Sequence, residues 1–120
     1  MNRTELIART KKFALNSIVL VESFPKSKSA DIIGRQLIKS ATSVGANYRA
    51  TCRAQSYSHF ISKISIVEEE ADETIYWLEL AIESGLVPVE RIGDLIKEAN
   101  ELTAIFSASK KTARARNEKQ

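Results

Sequence analysis

Three carboxylates with close, regular spacing are the residues of this sequence best suited to chemistry. Glu69, Glu70 and Glu73 fall within about one helical turn, in the segment EEADE. Carboxylate oxygens are ligands that Mg²⁺ prefers, and a bound Mg²⁺ stabilises the charge that develops when a phosphate group reacts. The pattern therefore raises the hypothesis of a metal-dependent enzyme that acts on nucleotides.

The spacing EExxE is also found in all-α nucleotide pyrophosphohydrolases, in which a later helix adds an ExxD pair. Here the later helix offers Glu98 and Glu101, which form ExxE instead. The simpler interpretation is that Glu69, Glu70 and Glu73 form a charged outer helix face that pairs with a basic stripe. We favour this interpretation, and a Mg²⁺-dependent pyrophosphohydrolase that uses these three residues is the alternative.

The other residue types argue against most other catalytic sites. His59 is the only histidine, which excludes zinc or di-iron sites that need several histidines. Cys52 is the only cysteine and is expected to be a small buried thiol. The sequence has no glycine-rich phosphate loop and no GxSxG motif. We expect no catalytic residue, no metal and no cofactor.

The composition is that of one globular domain in a reducing compartment. The chain has 120 residues, of which 43% are hydrophobic and 28% charged, and a single cysteine excludes an intramolecular disulfide bond. No apolar run approaches the roughly 20 residues that cross a bilayer. We expect a soluble, cytoplasmic protein that does not bind or cross a membrane.

Apolar residues recur every three or four positions in four segments, which predicts four helices. Their expected bounds are about 4–23, 29–54, 57–84 and 88–109. Short connections between long helices predict an all-α, up-down-up-down four-helix bundle. This bundle domain is expected to cover residues 1–109, and residues 110–120 are expected to form a basic, flexible tail.

Small residues fill the middle of the second helix, in the segment SATSVGA at positions 40–46. A glycine inside a helix costs about 1 kcal/mol relative to alanine. Gly45 therefore predicts that another backbone approaches the second helix closely.

The outer faces of the second and third helices favour self-association. The third helix carries apolar and aromatic residues that would face water in a lone bundle, and exposed patches with tryptophan and tyrosine usually belong to interfaces. The second helix carries a basic stripe opposite its core face. The first helix is also apolar beyond its inner stripe, at Leu15 and Val19. We therefore expect a homo-oligomer. The predicted interface comprises Arg35, Lys39, Ala46, Ile66, Glu69, Glu73, Tyr76, Trp77 and Leu80.

Basic residues are concentrated at the two ends of the chain. Residues 1–12 carry a net charge of +3 and residues 110–120 carry +4, which leaves −4 for residues 13–109. An up-down-up-down bundle brings the start of helix one and the ends of helices two and four together. That basic end could bind RNA or DNA, bind an acidic protein, or be merely solvated. Its expected residues are Arg3, Arg9, Lys11, Lys12, Arg49, Arg53, Lys110, Lys111, Arg114 and Arg116.

Residues 13–85 resemble a known family. The segments FPKSKSADIIG (24–34), QLIKSATSVGANYRATCRAQS (36–56) and FISKISIVEEEADETIYWLEL (60–80) resemble the small four-helix-bundle family of 23S rRNA intervening-sequence proteins. Members resemble the accessory protein of diversity-generating retroelements, which forms a barrel-like pentamer and binds reverse transcriptase and nucleic acid. The resemblance implies a homo-oligomer, expected to be a pentamer, and no catalytic residues. Together with the charge distribution, it predicts a non-enzymatic, nucleic-acid-associated or adaptor scaffold, with a reverse transcriptase as one candidate for an acidic partner.

Overall fold

The computed structural model describes residues 1–119, which form four helices. The helices are α1 (Arg3–Glu22), α2 (Lys28–Thr51), α3 (Tyr57–Glu83) and α4 (Val89–Glu118). The backbone of each helix lies close to that of the next helix along the chain, and the backbones of α1 and α4 are also close, whereas within residues 1–119 the backbones of neither diagonal pair approach each other. The prediction of an all-α, up-down-up-down four-helix bundle is confirmed.

Local capping explains where the helices begin and end. The side chains of Ser27 and Ser56 accept hydrogen bonds from backbone N–H groups of the first turns of α2 and α3, as N-cap residues do. At the start of α1 this role belongs to Asn2, whereas the sequence favours Thr4 as the N-cap. Gly85 adopts φ 78°, a left-handed conformation that glycine tolerates, and it ends α3.

Large apolar side chains from all four helices fill the bundle interior. Phe13, Leu37, Ile64, Leu78 and Phe106 are almost completely buried. Full burial of a side chain of this size stabilises a fold by roughly 1.5–3 kcal/mol. The predicted inner stripes of α2 and α3 therefore form the core.

Small residues allow α2 to lie close to α1, as the sequence predicts. A Cβ atom added at Gly45 would lie 3.3 Å from Oγ1 of Thr10, and Thr10 is completely buried. On the side that faces α3, the hydroxyl groups of Ser40 and Thr74 lie 3.0 Å apart. The centre of α2 is therefore in tight contact with both neighbouring helices.

The expected end of helix four is wrong. α4 does not fade after Ser109 but continues to Glu118, because Lys, Ala and Arg in this segment favour a helix and no proline or glycine interrupts it. Ala113 is buried within the extension. The tail's flexibility stays a prediction.

We expect Gly45→Leu to destabilise the bundle because the larger side chain must displace the α1 backbone around Thr10. Overpacking of this kind costs on the order of 1–3 kcal/mol in the free energy of unfolding, which urea denaturation measures. Ala50→Leu is the matched control, since Ala50 is exposed on the same helix and a surface change usually alters this free energy by less than about 0.5 kcal/mol. Equal stability of both variants would contradict the close contact.

Candidate functional site

The acidic residues of α4 are engaged with α1. Nε and Nη2 of Arg9 donate to the two carboxylate oxygens of Glu98 at 2.7 and 2.6 Å, and Nη2 also donates to Oε2 of Glu101 at 2.7 Å. These hydrogen bonds, above all those with Glu98, raise the pKa of the Arg9 guanidinium, although burial opposes the shift. The ExxE pair is therefore part of an ion-pair cluster between helices.

This placement removes the second half of the proposed Mg²⁺ site. Glu69 and Glu73 are exposed and Glu70 is half-buried. No group of three or more acidic, histidine or cysteine side chains within residues 1–119 could hold a metal ion. The pyrophosphohydrolase hypothesis thus lacks a second set of carboxylates facing the first.

A second ion pair crosses from α3 to α4. Nζ of Lys110 lies 3.3 Å from Oε1 of Glu68, and both side chains are mostly buried. Glu68 falls within the apolar stripe of α3, where an unpartnered carboxylate would be costly. Lys110 supplies the partner that the sequence pattern alone does not identify.

The ten predicted basic residues therefore divide into three groups. Arg9 and Lys110 are bound in the three ion pairs between helices. Lys11 and Lys12 are exposed halfway along α1 and not at its start. Six others are exposed at or near the helix ends that the topology brings together, and none forms an ion pair with the described part of the chain. We call these six the basic pole: Arg3, Arg49, Arg53, Lys111, Arg114 and Arg116.

An open groove lies at the basic pole. It has a volume of about 970 Å³ and is bounded by the start of α1, the α2–α3 connection, the start of α3 and the last turns of α4. Arg3 and Arg116 line it together with Tyr57, Phe60 and Ile105. The groove is not evident from the sequence, because it joins residues from distant segments, including the part of α4 beyond Ser109.

Tyr48 lies beneath the same end of the bundle. Its ring is buried and packs against Phe106, with the ring centres 5.7 Å apart. Burial, and then the neighbouring Cys52 thiol, raise the pKa of the Tyr48 hydroxyl to about 12. Cys52 is half-buried and not fully buried as expected. Both residues belong to the packing below the pole.

The predicted interface residues divide between exposed and half-buried positions. Tyr76 is 54% exposed and Ile66 is 39% exposed, whereas Trp77 and Leu80 are half-buried and pack against the core. The rings of Tyr76 and Trp77 pack edge to face, with their centres 5.0 Å apart. The remaining predicted interface residues are exposed: Arg35, Lys39, Ala46, Glu69 and Glu73.

A second apolar surface lies on the outer side of α1. Leu15 is 55% exposed and Val19 is 70% exposed, and the exposed Lys11 and Lys12 lie one to two turns before them. α1 and α3 occupy diagonal positions in the bundle. Their outer faces therefore point in opposite directions, one with lysines and the other with glutamates.

These features define the class of the protein: a small antiparallel four-helix bundle with one basic end and two opposed, partly apolar outer faces. The family model of the 23S rRNA-intervening sequence protein matches residues 2–108. The chain belongs to this family, and the match extends beyond the 13–85 segment that carries the sequence resemblance.

A solved structure shares the same fold. The crystal structure of a protein of unknown function from the S23 ribosomal protein family of Bacteroides thetaiotaomicron has a TM-score of 0.84 and 29% identity, covering 92% of this chain and 99% of that chain. No curated protein matches the chain. Over residues 1–119, none of the helices has the length and apolar character needed to cross a membrane.

We expect Arg9→Met to lower the stability of the fold because it leaves Glu98 without its main partner. Hydrogen bonds to charged groups contribute about 1.5–3 kcal/mol each, and partial exposure of this cluster places the expected loss at ~1–3 kcal/mol. Denaturation of Arg9→Met and of the exposed control Arg114→Met measures it. A loss in Arg9→Met no greater than in the control would show that the cluster does not stabilise the bundle.

Proposed function

We propose that this protein is a non-enzymatic, homo-oligomeric scaffold of the cytoplasm that binds nucleic acid through its basic pole. The observation that carries the proposal is the set of six exposed arginine and lysine residues at one end of the bundle, on three helices and the α2–α3 connection, without ion-pair partners among residues 1–119. Phosphate groups attract such clusters, and release of condensed counterions drives the binding. A structural role alone does not require six exposed cations at one end.

The division of the basic residues supports this assignment. The fold uses Arg9 and Lys110 to neutralise carboxylates between helices, whereas the pole residues remain exposed. Cations near the C-termini of α2 and α4 also gain about 0.3–1 kcal/mol each from the helix dipole. Arg3 lies at an N-terminus, where this effect is unfavourable, so the dipole does not explain its position.

The family also supports a link to nucleic acid. Its name refers to a sequence that interrupts 23S rRNA, and the related crystal structure is assigned to a ribosomal protein family. The resemblance to accessory proteins of retroelements adds a reverse transcriptase as a candidate for an acidic protein partner. We favour nucleic acid because its phosphates can be contacted by several exposed cations at once, whereas the centre of a protein interface is usually depleted of charged residues.

Self-association is the second part of the proposal. The α1 face carries Leu15 and Val19 with two lysines, and the opposed α3 face carries Ile66 and Tyr76 with glutamates. Two different complementary faces produce a head-to-tail contact, which closes into a ring when the rotation allows it. Arg35, Lys39 and Ala46 are exposed on α2, the helix that packs beside α3. Five subunits is the number that the family resemblance implies.

We expect the triple change Lys111→Glu, Arg114→Glu and Arg116→Glu to weaken binding of labelled RNA and DNA at least tenfold at low salt. The slope of log affinity against log salt should also fall by about 0.9 for every duplex phosphate that the variant no longer neutralises. Fluorescence anisotropy at several salt concentrations measures both quantities.

The matched control changes the same number of charges at the opposite end of the bundle, with Lys26→Glu, Lys28→Glu and Arg91→Glu. These residues are exposed, and they flank the α1–α2 connection and the start of α4. Equal losses in both triple variants would remove the pole as the binding site. Absence of wild-type binding at low salt would refute nucleic-acid binding.

For self-association, we expect Lys11→Glu with Lys12→Glu to yield smaller species in sedimentation at micromolar concentration, because two glutamate-rich faces then repel each other. Glu69→Lys with Glu73→Lys should have the same effect. The four changes in one chain restore opposite charges and should restore the larger species. A monomeric wild type, or a fourfold variant that stays dissociated, would contradict the paired faces.

A further inference from the structure

The groove at the basic pole combines cations with an apolar floor. Phe60 and Ile105 are half-buried and pack against the core at its base, while Ala108 and Ala113 supply small apolar walls. Tyr57 is half-buried at the start of α3. Within residues 1–119, Arg3 and Arg116 are the charged side chains that line the groove, and no carboxylate does so.

The start of α3 adds polar groups to this lining. Tyr57 and Ser58 occupy the first two helical positions, where backbone N–H groups have no acceptor within the helix. The positive end of the helix dipole lies at the same place. The groove therefore presents positive charge around its opening and apolar surface within it.

This combination distinguishes single strands from duplexes. A duplex exposes phosphates but keeps the faces of its bases stacked, so it could contact only the cationic residues. A single strand can insert its bases against apolar and aromatic side chains while its phosphates stay with the arginines. The volume of about 970 Å³ lies within the range of roughly 300–1,000 Å³ that is typical of sites for small molecules.

We propose that the groove binds unpaired bases of single-stranded nucleic acid, with Tyr57 as a stacking residue and with Arg3 and Arg116 on the flanking phosphates. The inference rests on the proposed function, since it specifies which form of nucleic acid the pole prefers. An acidic peptide would contact the arginines but has no base that could stack on Tyr57.

The test compares a labelled single-stranded RNA with a duplex of the same length by anisotropy. We expect the wild type to bind the single strand at least tenfold more tightly. Tyr57→Ala should reduce single-strand affinity roughly five- to hundredfold, the range for one stacked base, and should leave duplex affinity within about twofold. Tyr57→Phe should retain the preference. His59→Ala is the matched control, because His59 lies in the same helical turn but is exposed outside the groove.

A second measurement does not depend on the stability of the variants. A single strand that carries 2-aminopurine should lose fluorescence on binding the wild type, because stacking quenches this base. Unchanged fluorescence, equal affinity for both forms, or displacement of the strand by polyglutamate at equal concentration would overturn the groove proposal. If the groove proposal fails but the triple pole variant still abolishes salt-dependent binding, the proposed function stands. Absence of all nucleic-acid binding would refute both the groove proposal and the proposed function.

Discussion

Close packing of α2 between α1 and α3 is the constraint on which the arrangement of the surface depends. Gly45 leaves space for the backbone around Thr10, and the Ser40–Thr74 hydroxyl contact holds the opposite side. Bulky residues at these positions would separate the helices and change which residues lie side by side. The small residues thus fix the lateral position of α2, whose C-terminal end contributes two arginines to the basic pole.

Three ion pairs between helices then determine which charges remain available to other molecules. Arg9 is held by Glu98 and Glu101 from α4, and Lys110 is held by Glu68 from α3. A partly buried pair contributes limited net stability, but loss of one partner leaves a costly unpaired charge. These pairs therefore specify how α4 sits against its neighbours. The six residues of the basic pole form none of these ion pairs, and they make up the exposed cationic surface at that end.

The regular features of the fold could be predicted from sequence, whereas the pairings could not. Apolar periodicity identified the inner stripes of α2 and α3 because one continuous face of each helix is buried. It missed the end of α4, since Ala113 is the only buried residue among positions 110–119 and the Lys110–Glu68 pair leaves no periodic apolar signal. Sequence also does not reveal that Arg9 meets Glu98, which lies 89 positions away. The groove was missed for the same reason, since it joins residues from distant segments.

The modest net charge of +3 is a poor guide to how an assembly would interact with polyanions. In the proposed head-to-tail ring, the lysines of α1 and the glutamates of α3 would lie within subunit contacts, where they compensate each other. A rotation axis parallel to the helices would keep every basic pole on the same side of the ring. The field at that side would then depend on the repeated pole residues, because the acidic residues of the outer faces would be neutralised within the contacts. Assembly and nucleic-acid binding would therefore reinforce each other, even though they use different surfaces of the bundle.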